Sequence, residues 1–160
     1  MLKITLIVVG KLKEKYLKEA AAEYEKRLSS LCVLKTIEIE PHKLPDNPNS
    51  TQISNALETE GDKILNFIPN GSYVIPMCIE GNQIDSIALS NKLESISISG
   101  HSNICFIIGG SYGLSDKIKN IANLKLSMSK MTFPHQLARI MLLEQIYRSF
   151  KILQGATYHK

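Results

Sequence analysis

Residues 124–139 read Leu-Lys-Leu-Ser-Met-Ser-Lys-Met-Thr-Phe-Pro-His-Gln-Leu-Ala-Arg. The first five alternate: Leu124, Leu126 and Met128 fall on one side and Lys125 and Ser127 on the other, the two-residue period of a short strand. Pro134 ends any ladder because it has no N–H. It also opens a helix, because its fixed φ suits the first helical turn. Between them lies Ser129-Lys130-Met131-Thr132-Phe133, rich in backbone donors and small hydroxyls. Strand, polar loop and helix together form one unit of an alternating α/β fold, a pattern the rest of the chain repeats.

Just upstream, residues 103–108 predict a buried apolar strand that runs into the turn Gly109-Gly110-Ser111-Tyr112-Gly113, after which Ser115 caps a short helix over 116–122. Earlier strands are expected at 2–9, 33–39 and 72–79, and helices at 14–28, 51–67 and 86–98. Pro76 inside the third strand argues for a sheet edge or a bulge. Residues 80–83 read as a turn, and the proline-rich stretch 41–50 is a loop too short to link domains. The whole chain, 1–160, is therefore expected to be one α/β domain with a mainly parallel sheet and helices on both faces. Ligands of such sheets sit beyond the C-terminal strand ends, which selects the loops after Ile79, Ile108 and Met128.

The longest helix, expected over 134–153, has Leu137, Ile140, Met141, Leu142, Leu143, Ile146, Tyr147 and Phe150 spread around it with no clean polar face. A helix apolar most of the way round is buried on more than one side, and a second copy of the chain is the expected partner. Glu144 and Arg148, one turn apart, read as a structural ion pair.

The proportions of apolar and charged residues, 44% and 21%, are those of an ordinary globular domain, and no apolar run reaches membrane-spanning length. The apolar stretch 2–9 ends at Gly10-Lys11 with no small-residue cleavage site, so it reads as a strand rather than a leader, and a cytoplasmic protein is expected. Cys32, Cys78 and Cys105 are far apart and lack metal-ligand spacing; buried reduced thiols and no metal are expected. The net charge of +4 is unevenly placed. Residues 1–30 carry seven Lys or Arg against four Asp or Glu, residues 31–100 carry four against nine, and residues 101–160 carry eight against two. A basic surplus at both ends, around the candidate loops, has the sign that suits a polyanion such as RNA.

Gly109-Gly110-Ser111-Tyr112-Gly113 fits G-x-S-x-G after a strand, the setting of a serine hydrolase nucleophile. Such an enzyme needs a later histidine and acid. His135 and His159 are available, but the only later acids are Asp116, too near, and Glu144, mid-helix. The same glycines also suit close backbone approach to a ligand, though not with dinucleotide-fingerprint spacing. A third reading is a non-catalytic RNA-binding dimer.

Taken together, residues 2–13, the turn 108–114, the run Ser127-Met-Ser-Lys-Met-Thr-Phe-Pro-His135 and the final Tyr158-His159-Lys160 resemble the RlmH family. These are ribosomal large-subunit pseudouridine N3-methyltransferases of the SPOUT superfamily. The resemblance runs the length of the chain. It implies a SPOUT α/β domain with a C-terminal trefoil knot, S-adenosylmethionine as cofactor, and a homodimer that methylates N3 of a pseudouridine in 23S rRNA on the assembled ribosome. It assigns the cofactor to Met77, Gly109, Met128, Ser129, Lys130, Met131, Thr132 and Phe133. It draws proton handling and anion contact from His135, Arg139, Tyr158 and His159, with His159 the first choice for the proton and Arg139 for the anion. The tail of one subunit is implied to reach the cofactor of the other. Met77 stands where leucine is frequent in the family, and Pro76 and Cys78 beside it are further departures. Lys11, Lys13, Lys15, Lys130, Arg139 and Lys160 are expected to meet phosphates.

Overall fold

The computed structural model describes residues 1–160. Four strands, β1 (Lys3–Val9), β2 (Val33–Ile39), β3 (Ser72–Asn82) and β4 (Asn103–Ile108), form one sheet in the order β2-β1-β4-β3, and every pairing is parallel. Between and after them come α1 (Lys15–Leu28), α2 (Ser50–Phe67), α3 (Ser86–Ile98), α4 (Asp116–Asn120) and α5 (His135–Leu153).

The two central strands are buried on both faces, and this explains their unbroken apolar sequence. On one face Ile4, Leu6, Ile104 and Phe106 pack against Leu17 and Ala21 of α1, Leu93 of α3 and Leu142 and Ile146 of α5. On the other, Ile7, Val9, Cys105 and Ile107 meet Ile64 of α2 and Ile118 of α4. Each such fully buried aliphatic side chain contributes about 1.5–3 kcal/mol relative to exposure. Helices thus cover both faces, as expected. Pro76 lies on the edge strand β3, and its pairing with Ile107 is the last of the β3–β4 register. The three thiols are free and buried; burial pushes Cys32 up to about 11 and Cys105 up to about 12, which makes them unreactive.

The alternation at 124–128 does not form a fifth strand. The segment instead lies along the C-terminal part of β3, touching it through single bridges from Leu126 to Met77 and Asn82. Asn82 N–H donates to the Lys125 carbonyl at 2.9 Å, and Ser127 N–H donates to the Asn82 carbonyl at 2.9 Å. Upstream, Val74 N–H donates to the Asn123 side-chain oxygen at 2.7 Å. The ladder stops because Ser127 turns: its hydroxyl donates to the Ser129 carbonyl at 3.0 Å. The approach is close enough that a Cβ on Gly81 would lie 2.8 Å from the carbonyl carbons of Lys125 and Leu126. Accordingly β3 runs on to Asn82, through residues that read as a turn in the sequence. Ser115 precedes α4 but does not cap it; its hydroxyl is buried against Gly61 and has no partner.

Candidate active site

The C-terminal ends of β3 and β4, the glycine turn and the loop before α5 enclose a half-open cleft of about 150 Å³. Met77, Gly109, Met128, Ser129, Met131, Thr132 and Phe133 all line it, and so does His135 at the start of α5. Lys130 does not; it is exposed on the outer side of the loop. The loop is held by two side-chain bonds, from Ser127 to the Ser129 carbonyl and from Met131 N–H to the Ser129 hydroxyl at 3.0 Å. The backbone N–H groups of Met128, Ser129, Thr132 and Phe133 make no hydrogen bond within the chain. Apolar walls beside free backbone donors suit a flat heterocycle with a polar edge.

Gly109 has a structural duty in addition. A Cβ there would lie 2.3 Å from the Gly113 carbonyl oxygen, so the residue closes the turn rather than simply clearing space for a ligand. The turn is tied by Gly113 N–H to the Gly110 carbonyl at 3.0 Å, with Gly113 at φ +81°. Ser111, at its tip, is exposed, and no histidine hydrogen-bonds to it. The hydrolase reading has no geometry here.

The four candidates for proton and anion work are not all brought together. His135 makes no capping bond at its helix start. Its ring lies against Gly10, and burial, then the charge of Lys13, holds it below the usual imidazole range. It is therefore a neutral acceptor at pH 7. Arg139, one turn on, is 7% exposed and paired with Glu38 at 2.9 Å, away from the cleft. Tyr158 and His159 lie along α5. The Tyr158 hydroxyl donates to Glu144 at 3.0 Å, and its ring stacks edge-on against Tyr147 and beneath Arg148. His159 Nδ1 is 3.3 Å from Arg148, whose guanidinium pairs with Glu144 at 2.7 Å. The Glu144–Arg148 pair is structural, as expected, and it anchors the tail. Burial and the Glu144 bond push the Tyr158 phenol up to about 12.

Two further clefts adjoin the first. One of about 400 Å³ between α3 and α5 shares Leu126, Ser127 and Met128 with it. The other, of about 230 Å³, shares Gly110 and His135 and is walled by the loop after β2 and by α2, including His42 and Glu60. Sequence reasoning passed over these last two residues. The available signal was a carboxylate on the buried face of an amphipathic helix: Glu60 stands one turn after Ala56 and one before Ile64, both core residues.

A parallel sheet with an apolar, donor-rich cleft at its C-terminal edge and a histidine in the cleft wall is the layout of an α/β enzyme, with a cleft suited to a small heterocycle. The family model described as predicted SPOUT methyltransferase matches residues 2–159. A protein of Clostridium tetani named ribosomal RNA large subunit methyltransferase H is 52% identical over 157 residues, covering 98% of this chain and 99% of its own. One of the same name from Ruminiclostridium cellulolyticum is 48% identical over 159 residues, covering 99% and 100%. Among solved structures, a probable methylase family protein from Haemophilus influenzae matches at TM-score 0.54 and 13% identity, over 100% of this chain and 72% of its own. A probable methyltransferase from Bordetella pertussis matches at TM-score 0.52 and 10% identity, over 93% and 95%. These two show likeness of fold. The chain belongs to the SPOUT methyltransferase family.

Proposed function

We propose that the protein is a homodimeric methyltransferase that uses S-adenosylmethionine to methylate N3 of a pseudouridine in large-subunit rRNA, acting in the cytoplasm on the assembled ribosome. The observation that carries this reading is the convergence of seven residues, Met77, Gly109, Met128, Ser129, Met131, Thr132 and Phe133, on one cleft at the C-terminal edge of the sheet. They come from three separate stretches of the chain, at 77, 109 and 128–133, and the resemblance assigns all seven to the methyl donor. The residues fit that group: Met77, Met128 and Phe133 offer apolar walls, and the free N–H groups of the loop offer donors to an adenine edge or a carboxylate. Bound there, the cofactor supplies a methyl already activated by its sulfonium, so no metal is required.

The chain's own contribution is to hold the acceptor and take its proton. An imide nitrogen must lose its proton to attack. His135, neutral and in the cleft wall, is the acceptor within the protomer. Arg139 acts through position: its ion pair with Glu38 of β2 fixes the first turns of α5, and so His135. Tyr158 and His159 line none of these clefts. They reach a methyl donor only if a second subunit brings one to them, and this supports a dimer. Ile84, Ile87 and Leu137 are 37%, 51% and 40% exposed around the large cleft between α3 and α5, the apolar face such a subunit would cover. Among the expected phosphate contacts, Lys11, Lys13, Lys15, Lys130 and Lys160 are exposed, while Arg139 is committed to Glu38. The tight passage of residues 123–127 along β3, with Gly81 pressed on their backbone, supports the knotted SPOUT threading.

Calorimetry with S-adenosylmethionine, paired with transfer of labelled methyl to ribosomes that lack the modification, tests the proposal. Cofactor binding and label in large-subunit rRNA are expected; a folded dimer that binds no cofactor refutes it.

A further inference from the structure

The cleft of about 230 Å³ beside the methyl-donor cleft has no assigned role. A flat ring can enter it. Its apolar lining is Val9 at the end of β1, Pro41 and Leu44 after β2, and Ile53 and Leu57 of α2, and His42, Ser111, Tyr112 and His135 stand beside them. One charged group lies among them. Glu60 is 8% exposed, and its Oε2 accepts the His42 backbone N–H at 2.9 Å. Its other oxygen, Oε1, receives no hydrogen bond from the chain and no ion-pairing cation. That oxygen is not sealed from solvent, so it is open to a donor that enters the cleft. His135 and Gly110 belong to both clefts, so a ring seated in the second lies across the histidine from the methyl donor.

We propose that this second cleft receives the acceptor base and that Glu60 reads it as pseudouridine by accepting its N1–H. The inference rests on the methyltransferase reading of the adjoining cleft. The chemistry of the ring decides the assignment. Pseudouridine is joined to ribose through C5, so its N1 is free and carries a proton. N3 and N1 project from different edges of the ring. With N3 directed at His135 and the methyl donor, N1–H is the donor left to meet a carboxylate. Uridine in the same seat presents C5–H at that position and leaves Oε1 unpaired. A site built to bond an N–H rejects an analogue lacking it, often by a large factor, because its own buried polar group loses a partner.

The test uses the full-length dimer and two ribosome preparations, with pseudouridine or with uridine at the target position, both unmethylated. Wild type is expected to favour pseudouridine in kcat/KM by at least ~100-fold. Glu60→Gln keeps an oxygen for the His42 N–H and turns an amide NH2 toward the ring. It is expected to shrink the preference to within about threefold while the S-adenosylmethionine Kd changes by less than about twofold. Leu57→Trp, which fills the cleft from a half-buried position, should lower kcat/KM on pseudouridine ribosomes at least ~10-fold with cofactor binding retained. A preference undiminished in Glu60→Gln, or undiminished activity in Leu57→Trp, overturns the assignment. So does a wild type that treats the two ribosomes alike. Methyl transfer to neither ribosome by wild type refutes the methyltransferase reading instead, and this inference falls with it.

Discussion

Replacing Gly109 by alanine puts a methyl group 2.3 Å from the Gly113 carbonyl oxygen, 2.5 Å from its carbon and 3.0 Å from Leu114 Cγ. Ordinary contact for a Cβ begins near 3.4 Å, so the far side of the turn must retreat by about an ångström. It has little freedom to do so. Leu114 is 5% exposed and packs in the smaller core cluster, and the Gly110–Gly113 hydrogen bond of 3.0 Å holds the turn shut. Overpacking of this kind costs about 1–3 kcal/mol, and losing the turn bond adds about 1 kcal/mol. For a chain of this length the sum lowers Tm by roughly 5–15 °C. Gly110→Ala is the control: its Cβ meets only Val9, at 3.4 Å, an ordinary contact, and a change under about 1 kcal/mol is expected. Thermal denaturation of both variants, with cofactor titration of whatever remains folded, gives the comparison. The Gly109 variant should also bind S-adenosylmethionine more weakly, because the displaced turn is one wall of the cleft. Equal Tm and equal cofactor Kd for Gly109→Ala and wild type would refute the account of the turn.

His135 has a folded-state pKa below its unfolded value, from burial first and Lys13 second, so the unfolded chain binds the proton more readily. Stability complete at neutral pH is therefore lost as pH falls through the ordinary histidine range, about 6.5, and levels off below the folded value. In the pH–rate profile the acid limb should lie below that range, and His135→Gln should abolish the limb and slow transfer by about 10²–10⁴-fold. Deleting residues 158–160 should leave S-adenosylmethionine Kd within about threefold while methyl transfer falls at least ~100-fold; unchanged transfer would exclude the tail from chemistry. The Lys11→Gln, Lys13→Gln double variant should flatten the log–log salt dependence of ribosome binding by roughly 1.5–2, and an unchanged slope would move the RNA path elsewhere. Leu137→Lys places a charge on the uncovered face of α5 and should shift the protein to monomer in sedimentation, with the rate of methyl transfer falling alongside.

The fold was legible wherever burial imposed a period. The boundaries of β2, β4 and α3 match the sequence reading residue for residue, since alternation marks β2, an unbroken apolar run marks β4 and the apolar set of 86–98 ending before Gly100 marks α3. The segment 124–128 misled because alternation reports only which side chains face inward. Leu126 is buried and Lys125 is exposed, as the pattern requires, but Ser127 on the Lys125 side is buried too, and β3 meets this segment only at single bridges. The gathering of the candidate residues in one cleft was legible because they sit at strand ends in recognisable runs. Glu60 was not: a carboxylate in the middle of a helix looks solvated until the register of α2 places it beside Ala56 and Ile64. The placement of the tail was not legible, since its bonds to Glu144 and Arg148 join residues that sequence reading had paired only with each other.

The arrangement explains why residues 124–139 carry so much of the enzyme. Leu126, Ser127 and Met128 separate the cleft proposed for the methyl donor from the apolar cleft between α3 and α5, where a second subunit would pack. His135, seven residues on from Met128, separates the donor cleft from the one containing Glu60. A single extended passage followed by a helix start thus forms two partition walls, with the proposed donor cleft between them. Movement of that passage against β3 would change both walls together, and Gly81 limits it: any side chain there would meet the backbone of Lys125 and Leu126 at 2.8–2.9 Å. Gly81→Ala should consequently impair cofactor binding and subunit association in parallel, although residue 81 lines neither the donor cleft nor the cleft between α3 and α5. A variant that lost one function and kept the other would show that the two walls move independently.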